Sequence, residues 1–390
     1  MTAFVDGSNI YGSDVETSEK LRSGVDGLLK INSDFITENL PTRAHCGFPI
    51  PPDATDQVAG DVRAIVQPAL TSIHTLFLNE HNRIARELKS RLGNALTGFS
   101  SSETDEFLFQ ETRKIVGAEL QKVVYQEYLP VVLGADAIQL HGLALQPESL
   151  YNPEIDPSIL NEFATVAYRF GHSTVRNIIN GWPLGSHFFN FHSTPEVFVV
   201  GNDGNNWKNE MTGTINELSQ RNDLVIGDVL RNRLFGSATT PPEDLAARNI
   251  QRAREHGIPE YNVLRQACNL SAISSITDEP FTAGLAEEAP NDGILGPLFS
   301  CIVGMQFQRL KDGDRYFFTH TNANQGRGLG ENTKHAVLKR TLGHIICDNT
   351  ETTEVQRNVF KESSTVNPKE NCESINKLDF ECIVKDLIGT

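Results

Sequence analysis

Apolar residues return every three or four positions in several long stretches of the chain. Between residues 70 and 92, Ile73, Leu76 and Ile84 fall on one helical face, with charged residues on the other. This period indicates an amphipathic helix that packs one face against a core. The same spacing predicts further helices over residues 104–126, 161–179, 223–235, 249–256 and 298–310.

Strand patterns are short and scattered by comparison, and residues 196–200 (Glu-Val-Phe-Val-Val) give the best of them. The sequence contains no internal repeat and no Gly/Ser-rich linker that would divide it. The pattern therefore predicts one mainly α domain over residues 1–390.

The composition is that of an ordinary globular protein, with 39% hydrophobic and 22% charged residues. A net charge of −16 with dispersed basic residues argues against nucleic acids and anionic membrane surfaces as partners. The sequence has no uninterrupted apolar run of the roughly 18 residues that a transmembrane helix needs. The negative net charge is more compatible with binding a metal cation or a neutral organic substrate than with binding a polyanion.

The cysteines stand far apart, and they form no CxxC pair that would indicate a zinc site. Their spacing fits a few disulfides as well as free buried thiols. They are Cys46, Cys268, Cys301, Cys347, Cys372 and Cys382. The cysteine pattern by itself leaves the cellular compartment open.

A histidine follows a glycine in residues 167–173 (Ala-Tyr-Arg-Phe-Gly-His-Ser). Gly171 leaves room for a flat cofactor to approach the imidazole of His172 closely. Haem iron binds a neutral imidazole whose second nitrogen is held by a hydrogen-bonding partner. A lone histidine on a helix is also a common structural residue, so the pattern alone supports either interpretation.

The opening residues place oxygen-bearing side chains at every second position. In an extended loop, Thr2, Asp6 and Ser8 turn to one side, and the Phe4 carbonyl can join them as a ligand for calcium. The set contains one carboxylate, so a full site needs another from elsewhere. A surface turn explains the same pattern.

Two further patterns involve charged or titratable side chains. Arg63, which follows Gly60, can stabilise negative charge on a bound oxygen species if it points into an apolar pocket. Most arginines are instead solvated or ion-paired. His74 and His81 share a helix face but lack the spacing and the glutamate of a zinc hydrolase. We interpret that pair as structural.

Several segments resemble sequence blocks of the animal haem peroxidase superfamily, and its peroxidasin-like members most of all. Residues 4–13 (Phe-Val-Asp-Gly-Ser-Asn-Ile-Tyr-Gly-Ser) look like the family's calcium loop. Residues 168–172 and 249–262 are similar to two further blocks, of which the second reads Asn-Ile-Gln-Arg-Ala-Arg-Glu-His-Gly-Ile-Pro-Glu-Tyr-Asn. The other matching blocks are residues 59–63, 70–83, 113–117, 128–134, 312–317 and 345–349. The blocks follow the family order over nearly the whole chain.

The resemblance implies a role for each matched position. His172 would be the proximal ligand of a haem iron, and Asn249 would orient its ring. Arg63 would be the distal arginine that polarises bound peroxide, and Arg169 would lie near the haem edge. The implied calcium ligands are Thr2, Phe4, Asp6 and Ser8.

The resemblance also implies a fold, a compartment and two disulfides. The expected fold is the mainly α peroxidase fold, a helical core around a haem with few short strands. The expected disulfides are Cys268 with Cys301 and Cys347 with Cys372. They make an extracellular or secretory-lumen location the expectation, while Cys46 and Cys382 have no family partner.

The chain departs from the family pattern in two places. The family's distal histidine lies upstream of the calcium loop, so we expect this sequence to be an N-terminally truncated domain without that segment. The family glutamate that esterifies a haem methyl is replaced by Val66. Haem b is therefore expected to be held without a covalent link.

The implied function is a haem peroxidase that oxidises small organic or halide reductants with hydrogen peroxide. The alternative is a catalytically inactive, secreted peroxidase-like scaffold or interaction module, which Val66 favours slightly. A metal-dependent hydrolase is a distant third, resting only on scattered histidines.

Overall fold

The computed structural model describes residues 2–32, 37–49, 57–179, 182–183, 206–236, 241–290, 292–321 and 328–389. These residues are mainly helical, which confirms the predicted fold class. The predicted strand at residues 196–200 lies outside the described residues.

The α-helices follow one another along the chain with few strands between them. They are α1 (Ser8–Tyr11), α2 (Val15–Leu21), α3 (Arg43–Cys46), α4 (Pro68–Leu92), α5 (Ser101–Val123), α6 (Leu129–Leu133), α7 (Ala135–Leu140), α8 (Asn161–Thr165), α9 (Asn206–Asn216), α10 (Asp228–Asn232), α11 (Leu245–Glu255), α12 (Tyr261–Ala267), α13 (Pro280–Ala286), α14 (Pro297–Asp312), α15 (Glu331–Leu338), α16 (Leu342–Asn349) and α17 (Phe380–Ile388). Short 3₁₀-helices span Val62–Ile65, Gly93–Leu96 and Ala167–His172, and Val124–Tyr128 forms a π-helical turn.

The strands in the described residues form two small antiparallel pairs. β1 (Ile178–Ile179) pairs with β2 (Trp182–Pro183), and Ile179 lies opposite Trp182. β3 (Glu354–Gln356) pairs with β4 (Lys369–Asn371), and Val355 lies opposite Glu370. β3 packs against the helical core through Val355, which is buried.

Helix α4 is the centre of that core. Its N-terminus is capped by the Gln67 side chain, which accepts a hydrogen bond from the backbone of Ala69, and Pro68 occupies the first turn where no donor is needed. Leu76, Ile84 and other apolar residues at helical spacing are completely buried. The helix contacts α5, α9, α16 and α17 and the 3₁₀-helix Val62–Ile65. The helices predicted over residues 70–92, 104–126, 249–256 and 298–310 are confirmed, within a few residues, as α4, α5, α11 and α14.

Two predicted helices were too long. The chain leaves helical geometry at Val166 (φ −129°, ψ −75°), so residues 161–179 form α8, a 3₁₀-helix and then β1 instead of one helix. Residues 223–235 contain only α10. The Asp223 side chain accepts a hydrogen bond from the backbone of Val225 in a turn, and extended Gly227 precedes the helix.

A buried cluster of charges joins distant parts of the chain. The guanidinium of Arg340 lies 3.2 Å from Glu80, 3.1 Å from Glu119 and 2.8 Å from Asp348. Burial, reinforced by the charge of Glu80, raises the pKa of Glu119 to about 8. Removing one partner of such a buried group typically costs about 3–5 kcal/mol. The cluster therefore fixes α4 and α5 against α16.

The structure contains both disulfides expected from the resemblance, Cys268–Cys301 and Cys347–Cys372. Cys46 and Cys382 are free thiols. In the part of the chain that the structure describes, the helices are too short or too polar for a membrane span.

Candidate functional site

His172 is the last residue of the 3₁₀-helix Ala167–His172. The chain leading to His172 begins at α8, where the Thr165 hydroxyl donates a hydrogen bond to the carbonyl oxygen of Asn161 at 2.6 Å. Val166 then breaks the α-helical path, so the chain tightens into the 3₁₀-helix. This local break places His172 beside α11.

Asn249 on α11 is the hydrogen-bonding partner of His172. The Asn249 side chain is completely buried, and its Nδ2 lies 2.9 Å from Nδ1 of His172. Helix α11 begins at Asp244, whose side chain accepts a hydrogen bond from the backbone of Ala247. A side-chain cap thus starts the helix that presents Asn249 to the imidazole.

The imidazole of His172 is neutral at neutral pH. Burial lowers the pKa of His172 to about 4, and the positive charge of Arg169 acts in the same direction. The hydrogen bond between His172 and Asn249 opposes this shift but is outweighed. A neutral imidazole is the form that can bind a metal ion.

Three side chains form a unit that we call the histidine cluster: His172, Asn249 and Arg169. Arg169 donates from Nη1 to Oδ1 of Asn249 at 3.4 Å and from Nε to the carbonyl oxygen of Ala164 at 3.0 Å. Among the described residues, Nε2 of His172 takes part in no hydrogen bond with another side chain or the backbone.

The histidine cluster fits a haem iron. If Nε2 of His172 binds the iron, the imidazole proton must be on Nδ1. A 180° rotation of the Asn249 amide group would place Oδ1 where it can accept a hydrogen bond from Nδ1. A β-carbon at Gly171 would meet nothing within 4 Å, so the chain leaves space beside the ligand. Burial is the main cause that lowers the pKa of Arg169, and the positive charges of Arg252 and Arg248 lower it further. Cations gathered there suit the propionate carboxylates of haem.

Arg63 lies in a second group, the arginine segment (residues 60–66). Its Nη2 donates to Asp61 Oδ2 at 2.8 Å and its Nε donates to Asp61 Oδ1 at 3.1 Å, while 61% of the side chain is exposed. Burial raises the pKa of the Asp61 carboxyl, but the hydrogen bonds and the charge of Arg63 together outweigh it, so the pKa is lowered. Within the described residues, hydrogen bonds and ion pairs do not join Arg63 to the histidine cluster.

The arginine segment packs against the opening loop through Gly60. A β-carbon at Gly60 would lie 2.5 Å from the carbonyl oxygen of Ser8 and would also collide with the backbone nitrogen of Gly12. Only glycine therefore allows this approach of two backbones. The contact connects α1, which begins at the predicted calcium ligand Ser8, to the residues that carry Arg63.

The predicted calcium ligands lie close together. Thr2 Oγ1 donates to Asp6 Oδ2 at 2.9 Å and to the Phe4 carbonyl oxygen at 3.4 Å, and it lies 3.1 Å from the hydroxyl oxygen of Ser8. Oxygen donors of these kinds are what calcium binds. Within the described ranges, no three His, Cys, Asp or Glu side chains converge as a metal site would require.

The other sequence interpretations can be placed as well. His81 is buried, with Nδ1 2.9 Å from the Tyr11 hydroxyl and Nε2 2.8 Å from the Gly27 carbonyl oxygen, as a structural histidine would be. Val66 packs against the hydrophobic core. The sequence reasoning missed Asp61, although an aspartate two residues before Arg63 at a helix start is a recognisable N-cap.

Comparison with known proteins adds independent information. A family model described as animal haem peroxidase matches residues 1–280 and 278–360. Thyroid peroxidase from Mus musculus is 32% identical over 98% of this chain and 44% of its own length. Myeloperoxidase from Homo sapiens is 32% identical over 97% of this chain and 54% of its own length. The chain therefore spans about half the length of the curated relatives that it matches.

Solved structures agree with this result. Peroxidase A from Dictyostelium discoideum has a TM-score of 0.72 and 28% identity, covering 93% of this chain and 71% of that chain. Fatty acid alpha-dioxygenase from Oryza sativa has a TM-score of 0.68 at 19% identity, over 89% of this chain and 63% of that chain. The second likeness concerns the fold alone.

Proposed function

Because the chain belongs to the animal haem peroxidase family, we propose that it binds haem b through His172 and oxidises small organic or halide reductants with hydrogen peroxide. The observation that carries the proposal is the 2.9 Å contact between buried Asn249 and Nδ1 of His172. A hydrogen bond donated by the second nitrogen fixes the ring and its tautomer, and it makes the first nitrogen a better ligand.

Some side chains of this protein are proposed to bind haem, and another to stabilise negative charge on peroxide. A bound haem supplies the iron at which peroxide is reduced. His172 would hold the iron, Asn249 would keep the ring in place, and Arg63 would donate hydrogen bonds to the peroxide oxygens where negative charge develops. The exposed guanidinium of Arg63 would have to turn away from the buried carboxylate of Asp61 to do so.

The reaction also needs a base, because a proton has to move from one peroxide oxygen to the other. Arginine has donors and no acceptor, so Arg63 cannot take this proton. In the family pattern this base is a distal histidine, and the resemblance matches no residue of this sequence to it.

Haem is proposed to be held without covalent links, because Val66 packs into the core where the family has its ester-forming glutamate. The clustered oxygens of Thr2, Phe4, Asp6 and Ser8 support a calcium site in the opening loop. An extracellular or lumenal location is proposed from the two disulfides, which persist in oxidising compartments.

A non-enzymatic scaffold is the second candidate function. It is favoured by the engagement of Arg63 with Asp61 and by the exposure of the arginine side chain. A scaffold of this kind retains the fold and its disulfides and has no use for a free distal arginine.

One experiment separates the two functions. The protein is reconstituted with haemin, and hydrogen peroxide consumption is measured with a small phenol as reductant, in the wild type and in Arg63→Ala. The peroxidase proposal expects phenol oxidation that falls about 10²- to 10³-fold in the variant, as for other donors to a developing anion. Equal, background-level rates for both proteins would favour the scaffold.

A further inference from the structure

The turn that follows α12 carries the triplet Asn269-Leu-Ser, a pattern to which N-linked glycans are attached. The pattern Asn-X-Ser/Thr occurs at this one place in the sequence. Such triplets also arise often by chance. The surroundings of the asparagine therefore decide whether the triplet can serve as an acceptor.

Asn269 is exposed, and its backbone shapes the turn. Cys268 ends α12, and Asn269 follows with a φ of 57°, a left-handed conformation that asparagine adopts more readily than most residues. Its backbone nitrogen donates to the carbonyl oxygen of Gln266 at 3.0 Å. Among the described residues, no hydrogen bond involves its side-chain amide. The turn thus uses the backbone of Asn269 and leaves the amide accessible.

Ser271 supplies the hydroxyl of the triplet and is exposed as well. Its carbonyl oxygen accepts a hydrogen bond from Nε of Arg265 at 2.8 Å. On the other side of Asn269, the disulfide Cys268–Cys301 ties the end of α12 to α14. A disulfide and a backbone hydrogen bond therefore hold the turn on both sides of the acceptor asparagine.

The residues beyond the turn run back along α12. The backbone nitrogen of Ile273 donates to Oδ1 of Asn262 at 3.0 Å, and the Ile273 carbonyl oxygen accepts from Nδ2 of Asn262 at 3.1 Å. The backbone nitrogen of Tyr261 donates to the carbonyl oxygen of Asp278 at 3.0 Å. These contacts lay residues 270–278 antiparallel to α12.

This pair of segments exposes an apolar patch (Val263, Ile273 and Ile276). The exposed fractions are 51% for Val263, 45% for Ile273 and 68% for Ile276. Contiguous exposed apolar surface is uncommon on globular proteins and usually marks a site that another group covers. Asn269 lies six residues after Val263, which corresponds to about 9 Å along a helix. A bulky group on Asn269 would therefore stand beside the patch.

We propose that Asn269 carries an N-linked glycan and that this glycan covers the apolar patch. The inference rests on the proposed extracellular or lumenal location, because the transfer takes place in the secretory lumen. The donor is a lipid-linked oligosaccharyl diphosphate. The bond between its first sugar carbon and the diphosphate oxygen breaks, the same carbon bonds to Nδ2 of Asn269, the amide loses one proton, and the lipid diphosphate leaves. The bulky, polar glycan then shields the apolar side chains from water and from other molecules.

The attachment is tested on protein that insect cells secrete by means of an added signal sequence. Ser271→Ala removes the hydroxyl of the triplet without altering the left-handed backbone of Asn269, and Ser271→Thr keeps a hydroxyl. Intact mass is measured before and after an amidase removes N-linked glycans. The wild type and Ser271→Thr should each lose the mass of one glycan, and Ser271→Ala should not change. Peptide mass spectrometry should find aspartate in place of Asn269 after the release.

The covering role is tested with anilinonaphthalene sulfonate, a dye that fluoresces on apolar surfaces. Dye binding should rise severalfold in Ser271→Ala and fall again when Ile276→Ser is added. In the glycosylated protein, Ile276→Ser should leave dye binding unchanged. Val366→Ser is the matched control, because Val366 is 87% exposed in the loop between β3 and β4. Its effect on dye binding should be the same with and without the glycan.

Different failures have different meanings. A wild type that is secreted with both disulfides formed but without a glycan would overturn this inference alone. A glycan on Asn269 that leaves dye binding as it is in Ser271→Ala would overturn the covering role. A glycosylated protein that takes up no haemin would support this inference and overturn the proposed function. Protein from its own source with Cys268 and Cys301 reduced and no glycan would overturn the proposed location and this inference together.

Discussion

The histidine cluster and the arginine segment differ in how their polar side chains are held. In the histidine cluster, Asn249 is completely buried and contacts Nδ1 of His172. In the arginine segment, Arg63 is mostly exposed and bonded to Asp61 on its own short helix. The first group is joined by side chains from different elements, whereas the ion pair of the second joins residues two positions apart.

This difference has an energetic meaning. A buried hydrogen-bonded group is costly to disturb, because an unpaired polar atom in the interior costs about 1–3 kcal/mol. In the Arg63–Asp61 pair the guanidinium is exposed to solvent, which weakens its attraction to the buried carboxylate. The proposed iron-binding side is therefore expected to be preorganised, whereas the proposed peroxide-binding side is expected to be more adjustable.

The largest expected effect comes from Gly60→Ala, which should break the arginine segment. The new methyl group would collide with backbone atoms of Ser8 and Gly12, which cannot rotate away as a side chain can. We expect destabilisation of about 1–3 kcal/mol or more, measured by urea unfolding of the haem-free protein. Gly171→Ala is the matched control, since its methyl group meets nothing within 4 Å. Equal losses of stability in both variants would contradict the account.

Asn249→Ala should weaken the histidine cluster without unfolding the protein. Loss of the partner that orients a metal-binding histidine typically costs about 10- to 100-fold in affinity. Haemin titration followed by absorbance measures this change. Asn249→Asp, which keeps an oxygen acceptor, should retain most of the affinity. Asn262→Ala removes an amide that bonds only locally to Ile273 and should have no effect.

Lowering the pH from 6.5 towards 4 should destabilise the histidine cluster. The pKa of folded His172 is about 4, below the ordinary histidine value of 6.5, so folding favours the neutral ring. The stability that this provides is complete above pH 6.5 and is lost as the pH falls towards 4. Nuclear magnetic resonance of the His172 ring in the haem-free protein should give a midpoint near 4. A midpoint near 6.5 would mean that the ring is solvated and the cluster is not preformed.

Asp61→Asn should produce the smallest effect on stability and should remove the ion pair of Arg63. Asparagine can still cap the 3₁₀-helix, and the loss of the ion pair is offset by the loss of a buried charge, so we expect a change of at most about 1 kcal/mol in thermal or urea unfolding. Peroxide consumption by the haemin-loaded variant should be equal to or faster than that of the wild type. A large loss of stability would show that the arginine segment is as rigid as the histidine cluster.

Local pattern was enough to predict some of these features. Helices α4 and α5 follow from apolar residues at helical spacing, and the cap at Asp61 is readable in the sequence. The break at Val166 is not, because the residues around it have helical periodicity and the change is a backbone rotation stabilised by packing. The cluster around Arg340 joins residues up to 260 positions apart, a pairing that no local pattern contains.

The candidate site, too, could be predicted from the sequence only in part. His172, Asn249 and Arg63 could be singled out by the family resemblance, but their partners and exposure could not. The engagement of Arg63 with Asp61 depends on a short helix whose position is set by the close approach of Gly60 to α1. That approach is a tertiary contact, so the state of the arginine had to be read from the structure.

The most direct test of the central claim, a preformed proximal site, is haemin titration of the wild type, His172→Ala and His256→Ala. His256 lies at the end of the same helix as Asn249 and bonds to Asn161 at the surface, so it serves as the control. The account predicts a five-coordinate, histidine-ligated spectrum for the wild type and His256→Ala, and its loss in His172→Ala. An unchanged spectrum in His172→Ala would contradict the account.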